Sequence, residues 1–354
     1  MLLITYKCNL RCSYCYEPKV NGFKMDVPKA KQIIKEQLAL VVDDYSSVEI
    51  DFMGGEPLLE FPLIKEVSEW LWSSYQYEKP IKLFACTNGT LLNDEMKNWF
   101  AKHKEKIILG LSFDGDMGMQ NVNRSMSYDK VDLSFFTHTW PEQNVKMTLS
   151  PTTISNLASG VVFLHEKGFK SISPSLAMGP TIGWAKESLS MYRSELNKLR
   201  HYYINHPYVT PCSLFCIDIL SLTHHSDYTG KRCSCGEHFV CVDWNGDTYA
   251  CHMFSPIALP AEKALKSNQL YDFSNHAQFQ SKTCSKCLLN PICDHCYGAN
   301  YLSTNDVAMH SPFHCNAFKI LFVENCRFRI QLAEKNGDNQ MVKLINNILK
   351  SIKL

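Results

Sequence analysis

Three cysteines near the start of the chain have a spacing that suits an iron–sulfur cluster. Cys8, Cys12 and Cys15 follow a short apolar run in a C-x3-C-x2-C pattern. Three thiolates on one loop can hold a cubic [4Fe–4S] cluster and leave one iron without a protein ligand. An open metal position serves catalysis, because a substrate or cofactor can occupy it. The alternatives are a zinc loop or three unrelated thiols.

A second group of cysteines lies in the last third of the chain. It follows the pattern C-x2-C-x5-C-x2-C-x18-C, formed by Cys284, Cys287, Cys293, Cys296 and Cys315. Upstream, Cys233, Cys235 and Cys251 flank two β-type runs joined by Asn245-Gly246, a dipeptide typical of a hairpin. The chain has 16 cysteines and no secretory signal, which favours cluster or metal ligation over disulfides. Paired C-x2-C motifs also occur in zinc ribbons, so zinc is the alternative.

Charge and hydropathy exclude several other classes of protein. The 36 basic and 35 acidic residues leave a net charge of +1, which offers no electrostatic case for binding nucleic acid or a membrane surface. Apolar runs such as Ile107–Leu111 are too short to span a bilayer. Because no signal peptide is visible, we expect a cytoplasmic protein.

The elements that must position these residues alternate between strand and helix. Strands are predicted over Leu2–Tyr6, Val48–Met53, Ile81–Ala85, Ile107–Phe113, Val145–Leu149 and Ser171–Leu176. Helices are predicted over Pro28–Asp44, Phe61–Tyr75, Asn93–Lys104 and Ser155–Lys167. Strands separated by helices pair in parallel, which predicts an α/β fold: a partial (β/α)6 TIM-like barrel, or else a doubly wound sheet. The first cysteine motif then lies at the carboxyl end of a strand, the edge that carries function in such folds.

The pattern changes along the chain and predicts four regions. Residues 1–205 form the partial barrel, and residues 206–232 form a bridging region with clustered turn residues. Residues 233–326 form a small cysteine-rich α+β domain that needs metal for stability. Residues 327–354 form a C-terminal helical tail that ends in a helix over Met341–Ile352.

Taken together, the motifs of the first half resemble those of radical SAM enzymes. Besides the three cysteines, Gly54-Gly55-Glu56-Pro57 follows the second predicted strand. Thr87-Asn88-Gly89 and Ser112-Phe113-Asp114-Gly115 follow the third and fourth strands, respectively. The resemblance covers about residues 1–180 and implies that Cys8, Cys12 and Cys15 hold the catalytic cluster.

The resemblance also implies which residues bind S-adenosylmethionine. Gly54, Gly55, Glu56 and Pro57 would hold its amino group, since glycine lets the backbone approach closely. The remaining candidates, which would lie near the ribose or the carboxylate, are Tyr14, Asn88, Ser112, Asp114 and Arg124. For Arg124 the alternative is an ordinary surface arginine.

The chemistry implied by the resemblance is radical chemistry. S-Adenosylmethionine would chelate the open iron, and one electron from the reduced cluster would release methionine and a 5′-deoxyadenosyl radical. That radical would abstract a hydrogen atom from the substrate. The protein supplies position and excludes water. A reductant such as flavodoxin or ferredoxin is expected as a partner.

The second cysteine group resembles the SPASM extension of radical SAM enzymes and implies two auxiliary [4Fe–4S] clusters. The outer cluster would be held by Cys284, Cys287, Cys293 and Cys315, and the inner one by Cys235, Cys251 and Cys296. The fourth inner ligand stays open between Cys233, Cys212, Cys216 and an unligated iron. The spacing departs from many members, which have three residues rather than Asp294-His295 before Cys296. Cys86, Cys241 and Cys326 are expected in the core, and His295 and His314 at the surface or behind the ligands.

Radical SAM enzymes with this extension mostly modify peptides or proteins. The leading prediction is a maturase that installs a thioether or related crosslink in a ribosomally made peptide. The alternatives are formylglycine formation, as in anaerobic sulfatase maturases, and peptide epimerisation. In sulfatase maturases an aspartate follows the cysteine that closes the hairpin, whereas His252 stands there in this chain and is the candidate proton acceptor.

Three further expectations follow from the chain as it stands. It begins almost at the first strand, so we expect the substrate to be held by the barrel mouth, the bridging region or a separate partner. A scaffold with a decayed active site is disfavoured by the intact Cys8, Cys12 and Cys15. Small-molecule radical chemistry would require a small closed pocket rather than a groove.

Overall fold

The computed structural model describes residues 1–17, 22–41, 45–223 and 230–352. The end of the helix predicted over Pro28–Asp44 and part of the predicted bridge, residues 224–229, lie outside the described residues. The chain divides into two compact units. The first comprises Met1–Phe113, Arg124–Val145 and Ser234–Ser274, and the second comprises Asp114–Asn123, Lys146–Cys233 and Asn275–Leu354.

Strands and helices alternate through the first half of the chain, and helices dominate its end. The strands are β1 (Leu2–Thr5), β2 (Val48–Gly54), β3 (Ile81–Thr87), β4 (Ile107–Leu111), β5 (Val145–Leu149), β6 (Ile172–Leu176), β7 (Cys241–Val242) and β8 (Thr248–Tyr249). The helices are α1 (Val27–Ala39), α2 (Phe61–Ser73), α3 (Asp94–Lys102), α4 (Met117–Asn123), α5 (Leu133–Thr139), α6 (Leu157–Glu166), α7 (Glu187–Asn205), α8 (Ala261–Leu270), α9 (Tyr297–Thr304), α10 (Pro312–Lys335) and α11 (Asn339–Ser351).

A six-stranded sheet with the order β4-β3-β2-β1-β7-β8 organises the first unit. β1 to β4 pair in parallel, as the intervening helices require. One face of β2 and β3 is fully buried, with Phe52 and Ala85 paired across it. The other face, which includes Phe84 and Cys86, is partly exposed. The parallel arrangement puts the ends of β1 to β4 at one edge, where the predicted site residues follow.

Polar side chains define the starts of several helices. Asp26 Oδ1 accepts a hydrogen bond from Lys29 N at 2.8 Å at the start of α1. Asn93 Oδ1 likewise accepts from Met96 N at 2.9 Å and begins α3, as the sequence predicts. These caps satisfy amide groups that the first turn of a helix leaves without partners.

The predicted Asn-Gly hairpin is present and extends the sheet beyond β1. Gly246, with φ of +99°, occupies the turn, and the Asp243 amide donates to Asp247 O at 2.8 Å. β7 pairs in parallel with β1 through Leu2 and Val242. Tyr6 Oη donates to Asp243 Oδ2 at 2.7 Å and joins the same two segments through a buried contact. The hairpin was predicted, but its pairing with the first strand was not.

The second unit combines a two-stranded sheet of β5 and β6 with long helices. The α7 and α10 helices are joined by a buried ion pair between Arg200 Nε and Glu324 Oε2 at 3.1 Å. An apolar cluster joins α10, α11 and short helical turns, with Phe322, Cys326 and Ile345 at its centre. Cys326 is therefore a core residue, as predicted.

The α/β class with parallel strands and a helical C-terminal part is confirmed. All six strands predicted for the first half are present, distributed over two sheets. The sequence did not predict α4, α5, α8 or α9, which are short and lie in segments with many polar residues. The predicted boundaries of the four regions stay predictions. Within the described residues, no helix has the length and apolar character needed to cross a membrane.

Candidate active site

The three-cysteine motif forms a loop directly after β1. The Leu10 amide donates to Cys8 Sγ at 3.4 Å, and the Cys15 amide donates to Cys12 O at 3.1 Å, so two tight turns shape the loop. Leu10 is buried and anchors the loop to the first unit. All three thiols are half-buried. The loop thus places three half-buried thiols just after the carboxyl end of β1.

Two glycines bring the end of β2 against this loop. The Gly55 amide donates to Thr5 O at 3.1 Å, and the Glu56 amide donates to Lys7 O at 2.8 Å. A Cβ on Gly54 would lie 2.1 Å from Thr5 O, and one on Gly55 would lie 2.4 Å from Lys7 O. Glycine is therefore required here by the approach of two backbone segments of the chain itself. Binding of a cofactor amino group by Gly54, Gly55 and Pro57 stays a prediction.

Glu56 joins the ends of β2 and β3. Its carboxylate is buried and accepts hydrogen bonds from Leu58 N at 3.1 Å, Thr87 Oγ1 at 2.7 Å and Asn88 N at 2.8 Å. Burial raises the pKa of this carboxyl, and the hydrogen bonds and the charge of Arg124 act in the opposite direction. Its oxygens are thus engaged by the protein, which makes Glu56 a brace between two strand ends.

Asn88 contacts the cysteine loop through its side chain. Asn88 Nδ2 donates to Asn9 Oδ1 at 2.9 Å, and Asn88 Oδ1 accepts from Thr90 N at 3.0 Å. Sequence reasoning selected Asn88 for the cofactor and missed Asn9 and Thr90. The adjacency of Asn9 to Cys8 was the available signal.

Ser112 lies at the end of β4 beside an unanticipated thiol. Its amide donates to Thr87 O at 2.9 Å, and its hydroxyl lies 3.3 Å from Cys86 Sγ. Cys86 was predicted to be a core residue, but it is half-buried, because it lies on the partly exposed face of β3. The prediction for Cys86 was wrong, since alternation along a strand exposes one side chain in two.

Two aromatic residues of the cysteine loop contact partners from distant parts of the first unit. The guanidinium carbon of Arg124 lies 5.5 Å from the Tyr14 ring centroid, a cation–π geometry, and Arg124 is only 6% exposed. Arg124 is therefore not a surface arginine. The Tyr16 ring stacks on His252 with 6.3 Å between centroids and 29° between planes. The structure thus brings Arg124 and His252 into contact with Tyr14 and Tyr16 of the predicted cluster loop.

Asp114 belongs to a polar network in the second unit. It is fully buried, and its Oδ1 accepts from Thr148 N at 2.8 Å while its Oδ2 accepts from Asn123 Nδ2 at 3.1 Å. Asn123 Oδ1 also accepts from Ser150 Oγ at 2.8 Å. These contacts tie the segment after β4 to the end of β5. A contact of Asp114 with a cofactor stays a prediction.

Four cysteines of the second unit lie close enough to influence one another. The pKa of Cys293 is raised to about 12, mainly by burial and in addition by the neighbouring thiols of Cys315, Cys284 and Cys287. Burial likewise raises the pKa of Cys315, where Lys319 acts in the opposite direction and the thiols of Cys287 and Cys284 add to the effect of burial. Clustered thiols that resist ionisation alone are stabilised as thiolates by bound iron. These are the four cysteines predicted to hold the outer cluster.

The other predicted ligands are found as one pair in each unit. In the first unit, the Gly236 amide donates to Ala250 O at 3.0 Å, which aligns the segments of the buried Cys235 and Cys251. In the second unit, burial raises the pKa of Cys296, and the nearby thiol of Cys233 adds to it. Assignment of these four to an inner cluster stays a prediction.

Cys212 has a separate environment. The Cys212 amide donates to Tyr203 Oη at 2.9 Å, and burial raises the pKa of its thiol to about 11. Cys212, Cys216 and Cys233 stay open as candidates for the fourth inner ligand. Cys241 is completely buried in β7, as predicted.

Histidines accompany the outer cysteines. The rings of His295 and His310 lie 3.9 Å apart between centroids, and His314 Nε2 lies 3.3 Å from Ala177 O. The pKa of His295 is lowered to about 3, mainly by burial and in addition by the nearby His310. Within the described part of the chain, no group of three or more cysteine, histidine or acidic residues converges on a single metal ion.

Comparison with known proteins identifies the family. A family model described as the Radical SAM superfamily matches residues 2–130, which contain the cysteine loop and the ends of β1 to β4. The uncharacterized protein MJ0907 of Methanocaldococcus jannaschii is 30% identical over 233 residues, covering 61% of this chain and 77% of that protein. The chain belongs to the radical SAM superfamily.

The likeness to other radical SAM proteins extends beyond the matched region. A cysteine-type anaerobic sulfatase-maturating enzyme of Clostridium perfringens is 21% identical over 351 residues, covering 89% of this chain and 92% of that enzyme. The structure of anSMEcpe with bound AdoMet superposes with a TM-score of 0.70 at 19% identity, covering 98% of this chain and 99% of that one. Streptococcus suis SuiB bound to the precursor peptide SuiA gives 0.58 at 18% identity, covering 89% and 74%. The chain therefore shares the fold of these proteins over nearly its whole length.

The donor set fits the cofactors of this family. As a radical SAM enzyme the chain uses a [4Fe–4S] cluster and S-adenosylmethionine. Three half-buried thiols on one loop suit a cluster with one open iron, and the buried Arg124 beside that loop suits a carboxylate. When bound, the two cofactors supply the hydrogen-abstracting radical. The protein's own contribution is to hold the loop and exclude water.

Proposed function

We propose that this radical SAM enzyme modifies a ribosomally made peptide or protein and installs a thioether or related crosslink. The observation that carries the proposal is the second cysteine group, in which Cys284, Cys287 and Cys315 lie near enough to Cys293 to raise its pKa. They support a SPASM-type auxiliary cluster, a feature associated with peptide modification. The likeness to SuiB with its precursor peptide and to anSMEcpe with a bound peptide gives further support.

The residue roles in this proposal are those predicted from the sequence motifs. Cys8, Cys12 and Cys15 hold the catalytic cluster, and Arg124 orients the carboxylate of S-adenosylmethionine. The backbone of Gly54, Gly55 and Pro57 receives its amino group. Tyr14, Ser112 and the remaining predicted contacts Asn88, Glu56 and Asp114 bind or brace the rest of the pocket.

The auxiliary ligands and partners are part of the same proposal. The outer cluster uses the four thiols above, and the inner cluster uses Cys233, Cys235, Cys251 and Cys296. A low-potential reductant of the flavodoxin or ferredoxin type supplies electrons. A cytoplasmic location is proposed with it.

His252 is proposed as the group that accepts a proton from the substrate. Its stacking on Tyr16 supports this role, because Tyr16 directly follows the predicted ligand Cys15. His252→Ala should then lose product formation while still cleaving S-adenosylmethionine. Asn268→Ala, which removes a surface hydrogen bond to Thr248 O in the same unit, serves as the control and should retain both activities. Loss of cofactor cleavage in His252→Ala would argue against a role confined to the substrate.

The experiment that tests the function is an anaerobic reaction with reductant, S-adenosylmethionine and short peptides encoded beside the enzyme's gene. A crosslink removes a pair of hydrogen atoms from the peptide, and a thioether consumes a cysteine thiol. Formylglycine formation from cysteine removes its sulfur. Epimerisation leaves the mass unchanged in water but adds a deuterium in heavy water.

The mass change decides between the candidates. Loss of a hydrogen pair together with one thiol supports the proposed thioether. Loss of sulfur would overturn it in favour of the sulfatase-maturase alternative, for which the C. perfringens likeness is the specific observation.

A further inference from the structure

Three polar side chains beside the cysteine loop form a closed hydrogen-bonded ring. Asn9 Nδ2 donates to Thr90 Oγ1 at 2.7 Å, and Thr90 Oγ1 donates to Asn88 Oδ1 at 2.6 Å. Asn88 Nδ2 closes the ring by donating to Asn9 Oδ1 at 2.9 Å. Each side chain donates one bond and accepts another. Such cyclic networks polarise their members cooperatively, so removing one group weakens the others.

The ring connects a loop to a rigid element. Asn9 is exposed and directly follows Cys8, whereas Asn88 is 7% exposed at the end of β3. Asn88 is itself held by its amide, which donates to Glu56 Oε2 at 2.8 Å, and by Thr90 N, which donates to Asn88 Oδ1 at 3.0 Å. The loop end near Cys8 is thereby fastened to the sheet.

The rest of the loop has other attachments. The Arg11 amide donates to Ser125 Oγ at 2.9 Å, and beyond it Tyr14 and Tyr16 contact Arg124 and His252. These contacts lie on the C-terminal side of the ring. Loss of the ring should therefore loosen the segment between Cys8 and Cys12 more than the segment that follows it.

We propose that Asn9, Asn88 and Thr90 are positioning residues that hold the three-cysteine loop against the end of β3. In this role Asn88 acts on the loop through Asn9. The inference rests on the proposed function where it takes this loop to carry the catalytic cluster and, for the iron measurement, where it counts three clusters. The order of the loop is a property of the folded chain and is measured without any substrate.

The test is hydrogen exchange on the anaerobically purified holoenzyme. Thr90→Val removes the hydroxyl but keeps the shape of the side chain, and Asn9→Ala removes an exposed member. Because one or two hydrogen bonds are lost, we expect amide exchange in residues 9–12 to rise about three- to tenfold in both variants. Exchange in β2 and β3 should stay unchanged, and Thr90→Ser should restore the wild-type rate.

A matched variant tests whether the change in exchange comes from loss of the ring or from loss of any threonine hydroxyl in this unit. Thr137 Oγ1 donates to Ser134 O at 3.2 Å in helix α5 of the same unit, and this hydrogen bond is exposed. Thr137→Val should leave the exchange of residues 9–12 unchanged. Asn9 is exposed, so Asn9→Ala keeps the proposal testable if Thr90→Val fails to fold.

A second readout concerns iron. With a chelator present, Thr90→Val should release about one third of its iron about three- to tenfold faster than the wild type, with the remainder released at the wild-type rate. Wild-type exchange in residues 9–12 of both variants would overturn the proposal. Failure to find a peptide product would overturn the proposed function and leave these measurements unaffected.

Discussion

Residues at the strand ends have two kinds of role. Some offer groups that could bind a cluster, and others hold neighbouring segments in place through hydrogen bonds. Cys8, Cys12 and Cys15 present half-buried thiols, and spacing alone was enough to find them. Glu56 and Asn88 were found by motif, yet their side chains accept or donate hydrogen bonds within the chain itself. A sequence motif indicates that a residue type is needed at a position. It does not indicate whether that residue binds a ligand or holds a neighbouring strand.

Cys8→Ala tests whether the cysteine loop holds the catalytic cluster. Cys8→Ala removes one of three thiols, so 5′-deoxyadenosine production should fall to background while iron in the second unit is retained. The measurements are cofactor cleavage and iron per chain on the same sample. Cys326→Ala is a suitable control, because Cys326 is fully buried in an apolar cluster. Cleavage at the wild-type rate in Cys8→Ala would show that this loop does not carry the catalytic cluster.

At the scale of elements, the decisive contacts join strand ends or helix faces. Gly54 and Gly55 allow the end of β2 to approach the backbone at the end of β1. A Cβ on either glycine would collide with a carbonyl oxygen of that segment. Arg200 and Glu324 join α7 to α10 inside the second unit, where both are nearly excluded from solvent. The helices and strands themselves follow hydrophobic periodicity, whereas these contacts depend on pairs of distant residues.

Gly55→Ala tests the approach of β2 to the loop. A Cβ at this position would lie 2.4 Å from Lys7 O and 2.9 Å from Cys8 Cβ. The atoms that this Cβ would meet belong mainly to the backbone, which cannot move aside as easily as the end of a flexible side chain. We therefore expect a loss of about 1–3 kcal/mol in unfolding free energy together with poorer iron loading. Gly118→Ala, where only Asp116 Oδ1 lies nearby at 3.3 Å, should be neutral or slightly stabilising. Equal stability of the two variants in urea would refute this reading of the motif.

Glu324→Ala tests how much the buried ion pair with Arg200 contributes to stability. Glu324→Ala leaves the Arg200 guanidinium buried without its carboxylate, and the expected cost is about 3–5 kcal/mol in unfolding free energy. Lys97→Ala breaks the more exposed pair with Asp132 at 2.8 Å and should cost about 0–1 kcal/mol. Chemical unfolding of both variants measures the difference. A small effect for Glu324→Ala would mean that water reaches Arg200.

For the whole molecule, the two cysteine groups are parts of one fold that resembles known radical SAM structures along nearly its full length. The first group lies in the first unit, and the four outer thiols lie in the second. The family model matches only residues 2–130. Recognition of the C-terminal part therefore depended on the cysteine pattern and on the fold.

Iron content tests the molecule as a whole. Three [4Fe–4S] clusters predict about twelve iron atoms per chain, and Cys293→Ala should remove about four of them without abolishing cofactor cleavage. Elemental analysis with a cleavage assay on the same anaerobic sample measures both. About four irons accompanied by zinc would instead make the second cysteine group a zinc domain and remove the main support for peptide modification.

The sequence alone determined the fold class and the family, and it singled out the cysteines of both groups as candidate cluster ligands. Local information sufficed, because thiol spacing, glycine pairs and helix caps such as Asn93 act within a few residues. Only the tertiary structure decided that β7 pairs with β1, that Cys86 faces Ser112, and that Asn88 contacts Asn9. It also decided that Arg124 is buried against Tyr14. These contacts join residues far apart in the chain, and their choice depends on how whole elements pack rather than on any local preference.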